Sequence, residues 1–234
     1  MKTYHASNER FVKKVFRDVF DKYDLMNDLM SLGVHRLWKR SFINLLNPQK
    51  NTNLIDVASG TGDIAKLFLQ KVNYQGSVVC IDENIDMLNL SKKKFKNKKK
   101  IKWYCCNGEK LPFKENTFDY YTISFGIRNF ENINAALKEA YRVLKPGGRF
   151  LCLEFSKVQN ETINKFYKTY SKSIPKLGKF IVGKSTPYKY LINSIEKFYD
   201  QKQFVEKIEK HNFSNISFKN LNNGIAAIHS AWKI

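Results

Sequence analysis

The chain has 234 residues, of which 43% are hydrophobic, enough to pack one ordinary domain and too many for wholesale disorder. Its stretch 1–10 is polar, with no apolar core of a secretory signal, and nowhere do about 18 apolar residues run together, so neither export nor a membrane-crossing helix is expected. Lys and Arg total 41 against 21 Asp and Glu, a formal charge of +20 that admits nucleic acid, anionic membrane or acidic substrates as partners.

Phe11, Val12, Val15, Phe16, Val19 and Phe20 fall at helical spacing and predict a helix over 10–20. A second helix is expected over 35–46, before Pro48 breaks the chain. Strand and helix signals then alternate. Strands are expected over 53–58, 77–81, 101–105, 119–124 and 149–155. Helices are expected over 62–71, 85–96 and 133–144, the last stopped by Pro146, Gly147 and Gly148. The tail adds helices over 162–180, 188–198 and 201–211, then strands over 216–221 and 225–232 about Asn222-Asn223-Gly224, a hairpin signal. The pattern predicts an α/β fold: a mostly parallel seven-stranded sheet, helices on both faces, and a C-terminal antiparallel hairpin.

Cys80, Cys105, Cys106 and Cys152 lie in apolar, strand-like runs without C-x-x-C spacing, so buried free thiols are expected, with neither disulfide nor metal site. The positive charge is carried by lysine, with only seven arginines, at 10, 17, 36, 40, 128, 142 and 149. Arginine is the better reader of phosphates and bases. Scattered lysine therefore points to compositional drift, and no specific nucleic-acid partner is expected.

The chemistry gathers at LIDVASGTGD, residues 54–63. This is a strand, a glycine turn and a helix start, with Gly60 and Gly62 free to let backbone approach a ligand. Asp82 closes the next strand, about 20 residues on, where an acid can accept from ribose hydroxyls. Gly60-x-Gly62-x-x-Ala65 alone also fits a nicotinamide fingerprint. The acids argue otherwise. A pyrophosphate at this turn would meet the carboxylates of Asp56 and Asp63, whereas the ammonium and sulfonium of S-adenosylmethionine would be favoured by them. Asn107 and Gly108 follow the third strand, where a polar side chain can take an adenine edge.

These residues resemble a class I S-adenosylmethionine-dependent methyltransferase of Rossmann-like fold. Four segments are similar to one family, the ubiquinone/menaquinone biosynthesis C-methyltransferases. They are FDKYDLMNDLMSLGVHRLWKR (20–40), the glycine loop 55–63, TISFGIRN (122–129) and RVLKPGGRFLCLEFS (142–156). Ser59 stands where that family usually has glycine. By position, the resemblance implies cofactor contacts at Thr61, Asp82, Asn107, Gly108 and Ser124, beside the loop's own Asp56, Gly60 and Gly62. It implies a single domain, with 1–50 as a helical lid, 51–156 as the cofactor-binding core and 157–234 as the substrate side.

The implied reaction is methylation of a ring carbon of a prenylated quinol. Arg128 and Asn129, just past the fourth strand, and Tyr23 in the N-terminal signature are the expected catalytic residues. Arg128 stays protonated, so its expected role is to stabilise a phenolate or orient a water, with a structural salt bridge as the competing role. Asn27 shares the N-terminal signature, with packing as its competing role. Tyr167, Tyr170, Ile174, Leu177, Phe180 and Ile181, interleaved with lysines, suit a greasy tail or the core equally. The expected setting is cytoplasmic, with transient contact to an anionic membrane surface. A homodimer or a biosynthetic complex stays open.

Overall fold

Alternating strand and helix signals resolve into a single twisted sheet. The computed structural model describes residues 23–31, 33–95, 99–182 and 185–234, and the side chains of all of these except 23–26, 177, 178 and 180–182. The helix expected over 10–20 lies outside the described residues. In chain order come α1 (Tyr23–Ser31), α2 (His35–Leu46), β1 (Thr52–Val57), α3 (Asp63–Lys71), β2 (Gly76–Asp82), α4 (Ile85–Lys94) and β3 (Ile101–Cys105). There follow β4 (Phe118–Ser124), a 3-10 turn (Ile127–Asn129), α5 (Ile133–Val143), β5 (Leu144–Phe155), α6 (Glu161–Val182), α7 (Thr186–Lys197), α8 (Gln201–Glu209), β6 (Ser214–Leu221) and β7 (Ala226–Trp232).

The seven strands are ordered β3-β2-β1-β4-β5-β7-β6. The first five pair in parallel, and β7 runs antiparallel to both β5 and β6. Chain direction away from the centre reverses between β1 and β4, so a crevice opens at their carboxyl ends. The register sets Asp56 beside Thr122 there.

Strands buried on both faces carry apolar residues at consecutive positions. Leu54 and Ile55 are both fully buried and feed opposite layers. One layer packs Trp38, Phe42 and Phe68 against Leu151 and Leu153; the other packs Leu137, Phe204 and Ile208 against Tyr121 and Phe150.

Four details depart from the sequence expectation. Tyr23–Ser31 forms a helix that no periodicity announced. β5 begins at Leu144 and runs through Pro146-Gly147-Gly148, because Leu144 pairs with Phe118 and Gly147 N–H donates to Lys233 O at 2.7 Å. The β6–β7 connection is a 3-10 turn, with Asn223 at φ 58°. Of the thiols expected to be buried, Cys80 and Cys152 are, whereas Cys105 is exposed and Cys106 half-buried, since both sit on β3 at the sheet edge or just beyond it.

Four described arginines act as forks. Arg36 grips both oxygens of Asp28, and Arg142 bonds Glu139 together with the carbonyls of Leu111 and Phe113. Arg149 bonds Ser230 Oγ and the carbonyls of Leu45 and Leu46, tying α2 to the sheet. Arg128 bonds Glu154 and the Phe125 carbonyl. Among the described residues, no helix is long and apolar enough to cross a membrane.

Candidate active site

The loop between β1 and α3 is shaped by backbone that only certain residues adopt. Gly62 has φ 82°, and a Cβ there would stand 2.5 Å from Ser91 Oγ and 2.9 Å from the Phe95 ring. Gly60, at φ 53°, has nothing within 4 Å of a built Cβ, so its backbone faces open space. Ala58 (φ 52°) and Phe125 (φ 57°) also sit in the left-handed region, one at the end of β1 and one at the end of β4. Such strain concentrates at functional sites. Ser59 lies outside that region, so a side chain in place of glycine costs no backbone strain.

Beside this loop is a small, solvent-open cleft lined by Asn27, Lys39, Asp56, Ala58, Ser59, Gly60, Thr61, Asp63, Ser124 and Phe125. Asp56 is 1% exposed; its Oδ1 accepts from Thr122 Oγ1 at 2.8 Å, while its Oδ2 has no partner among the described residues. Burial pushes its pKa up to about 7, more than the Thr122 bond lowers it. Asp82 is half-buried and accepts from Gly60 N–H at 2.8 Å and Asn84 N–H at 2.9 Å, so it pins the loop. Burial still raises its pKa to about 6.

Asp63 is occupied differently. Lys39 Nζ lies 2.8 Å from its Oδ2 and Lys94 Nζ 3.6 Å from its Oδ1. Burial alone would raise its pKa, but the two ammonium groups outweigh that and hold it low. Of the two loop acids, Asp56 is therefore the one with an uncommitted oxygen.

These features fit the amino-acid end of S-adenosylmethionine. A buried carboxylate oxygen and the Ser124 hydroxyl, neither with a partner among the described residues, point to a polar ligand.

The comparisons with known proteins decide the family. Residues 4–233 match the model of the ubiE/COQ5 methyltransferase family. The chain belongs to this family. It is 51% identical over 240 residues to the ubiquinone/menaquinone biosynthesis C-methyltransferase UbiE of Rickettsia bellii, covering 97% of this chain and 95% of that one. It is 47% identical over 258 residues to the mitochondrial 2-methoxy-6-polyprenyl-1,4-benzoquinol methylase of Dictyostelium discoideum, covering 97% and 82%. Its fold is similar to a SAM-dependent methyltransferase of Thermotoga maritima, with TM-score 0.68 at 16% identity, covering 95% of this chain and 100% of that one. This UbiE/COQ5-family chain is thus an S-adenosylmethionine-dependent C-methyltransferase.

The cleft of the methyltransferase brings together five of the expected residues: Asp56, Gly60, Thr61 and Ser124 line it, and Asp82 joins through Gly60. Asn107 is exposed and accepts from Glu109 N–H at 2.6 Å; Gly108 packs on Val57 and Phe130, and neither lines the cleft. Arg128 and Asn129 stand on the 3-10 turn past β4, also outside it. Arg128 Nη1 donates to Glu154 Oε1 at 2.7 Å and to the Phe125 carbonyl at 2.6 Å, and both side chains of the ion pair are 1% exposed. Its Nη2 has no partner among the described residues. Asn129 Oδ1 accepts from Tyr190 Oη at 3.0 Å. Tyr23 opens α1, but its side chain lies outside the described residues.

Sequence reasoning missed Lys39, Glu154 and Tyr190. Glu154 had a signal, a lone acid in the apolar run RFLCLEF. Lys39 had none, since its partner lies 24 positions on. His35 and His229 are committed to structural bonds: His35 Nε2 meets Asp28 at 2.9 Å and His229 Nε2 meets the Gln201 carbonyl at 3.0 Å.

The raised acids make a signed prediction. A carboxyl that is protonated when folded but ionised when unfolded adds stability at low pH and loses it as pH rises through its folded value. Asp56 therefore stabilises the ligand-free protein below about 4 and ceases to do so at about 7. His229, depressed by burial to about 4, has the opposite slope. The readout is thus a difference: Asp56→Asn should gain on the wild type between pH 4.5 and 7.5 in thermal melts. A constant gap across that range sinks the assignment.

Proposed function

We propose that this methyltransferase transfers the methyl of S-adenosylmethionine to a ring carbon of a prenylated quinol, a methoxybenzoquinol or a demethylmenaquinol. Near-full-length identity of 47–51% to relatives bearing those names carries the reading. When bound, S-adenosylmethionine supplies a methyl made electrophilic by its sulfonium. The protein's part is to hold, orient and exclude water.

Asp56 is proposed to accept from the cofactor's ammonium, with Thr61 and Ser124 beside it, and Asp82 to accept from the ribose hydroxyls. Gly60 and Gly62 let the backbone approach, and Asn107 with Gly108 borders the adenine. On the acceptor side we assign Arg128, Asn129 and Tyr23. Arg128 is not a base. Its buried charge is shared with Glu154, which leaves Nη2 to stabilise a developing phenolate or to orient the water that takes the proton. Asn129, steadied by Tyr190, is placed to orient a quinol hydroxyl.

The proposed domain division follows: a lid over 1–50, a cofactor core over 51–156 and a substrate side over 157–234. Contact with an anionic membrane, at its cytoplasmic face, is part of the proposal. On α6, Lys165, Lys168, Lys172, Lys176 and Lys179 are exposed beside Phe166, which is 74% exposed. Of the stretch suited to the tail, Ile174 is core, Tyr167 and Tyr170 are half-buried, and the side chains of Leu177, Phe180 and Ile181 lie outside the described residues.

The test is transfer of labelled methyl to two short-chain acceptors kept reduced, a demethylated methoxybenzoquinol and a demethylmenaquinol. Label on a ring carbon of either confirms the reaction and names the acceptor. Intact cofactor binding with no label on either would remove the quinol assignment.

A further inference from the structure

We infer that Asn27 binds the amino-acid end of S-adenosylmethionine, so that α1 is part of the cofactor site; this rests on the cleft being that site. Asn27 is 1% exposed and lines the cleft with Asp56, Thr61 and Ser124. Neither its Nδ2 nor its Oδ1 has a partner among the described residues. Buried side-chain amides are nearly always hydrogen-bonded, so one with both ends bare in a cleft wall marks a ligand contact.

The chemistry of the neighbours says which part of the ligand it meets. The amino-acid end carries a carboxylate, which needs donors, and an ammonium, which needs acceptors. Asp56 Oδ2 serves the ammonium. The loop's backbone donors are spent, Gly60 N–H on Asp82 at 2.8 Å and Gly62 N–H on the Ser59 carbonyl at 2.9 Å, and Lys39 Nζ is drawn toward Asp63 at 2.8 Å. Asn27 Nδ2 remains for the carboxylate, beside the hydroxyls of Ser59, Thr61 and Ser124 in the same lining. The other end of the Asn27 amide can accept from the ammonium, so a single side chain answers both charges.

The helix that carries the amide is held in place by bonds to its backbone. Ser31 Oγ donates to the Asn27 carbonyl at 2.7 Å and accepts from His35 N–H at 3.2 Å, fixing α1 to α2. Tyr170 Oη donates to the Leu29 carbonyl at 2.5 Å, fixing α1 to α6. A side chain carried on an anchored backbone has less freedom to lose on binding.

Calorimetric titration of the full chain with three ligands tests the role. S-adenosylmethionine and S-adenosylhomocysteine carry the amino-acid end, and 5′-methylthioadenosine lacks it. Asn27→Ala should bind the first two about tenfold more weakly, the loss of one hydrogen bond to a charged group, and the third as the wild type does. Asn27→Asp keeps the size but sets a carboxylate against a carboxylate, and should lose more on the same two ligands only. It provides the readout if the alanine variant does not fold. Equal weakening toward all three ligands would make Asn27 a packing residue, and no weakening toward any would leave it idle; either overturns the inference. Failure of the wild type to bind S-adenosylmethionine would overturn the cleft assignment itself.

Discussion

Exchange of Glu154 for Gln is expected to cost about 3–5 kcal/mol of folding stability, the usual penalty for stranding one member of a buried ion pair. Glu154 and Arg128 are each 1% exposed in their side chains, and their contact is 2.7 Å. Burial raises the Glu154 pKa even against the pull of Arg128. Glutamine keeps the shape but leaves the guanidinium without its counter-charge. Urea unfolding of the single variant measures the loss, and a change below about 1 kcal/mol would contradict the burial. The informative comparison is the double variant Arg128→Met with Glu154→Met. Removing both charges together should recover much of the stability, as apolar replacement of buried ion pairs often does. The recovery is incomplete because the Phe125 carbonyl, which accepts from Arg128 at 2.6 Å, loses its donor. If Arg128 Nη2 serves the phenolate, this refolded double variant remains without methyl transfer while still binding cofactor. Near-normal turnover would reduce Arg128 to a strut.

The second large effect is expected at Asp82. Both carboxylate oxygens accept from backbone N–H groups, of Gly60 and of Asn84, and each has a second lone pair for the ribose contact proposed above. Asp82→Asn turns one acceptor into an NH2 group, which must face a backbone N–H. One loop anchor is lost, along with the charge that strengthens every remaining bond. The affinity for S-adenosylmethionine should fall by roughly 100-fold, the sum of about two charged hydrogen bonds. The loss should be equally large for 5′-methylthioadenosine, which keeps the ribose, in contrast to the pattern expected at Asn27. Titration showing unchanged affinity for either ligand would remove Asp82 from the ribose site.

Local signals were legible where local physics decides. The bounds of α2 and β3 coincide with those read from the sequence: Pro48 follows closely on the end of the helix, and β3 pairs with β2 over the whole of Ile101–Cys105. β5 starts earlier than its Pro-Gly-Gly sequence suggests, because the Leu144–Phe118 pairing and the Gly147–Lys233 bond carry the strand through the breakers. The loop residues Asp56, Gly60, Thr61 and Ser124 were legible because strand ends and glycine turns place them. The ion pair of Asp63 was not legible: Lys39 reaches it from α2, and nothing in the composition of either segment announces the contact. The role of Asn27 was equally hidden, since its significance lies in bonds it does not make.

The arginine forks bear on how this chain tolerates change over time. Its basic composition has settled overwhelmingly on lysine, yet Arg36, Arg128, Arg142 and Arg149 each spend their guanidinium on several acceptors at once. An ammonium is a single point and cannot span two carbonyls and a carboxylate held at fixed angles. Lysine at Arg128, Arg142 or Arg149, where the fork ties segments distant in sequence, would leave acceptors unmet. Those positions are joints of the fold that an exchange of one cation for another does not preserve.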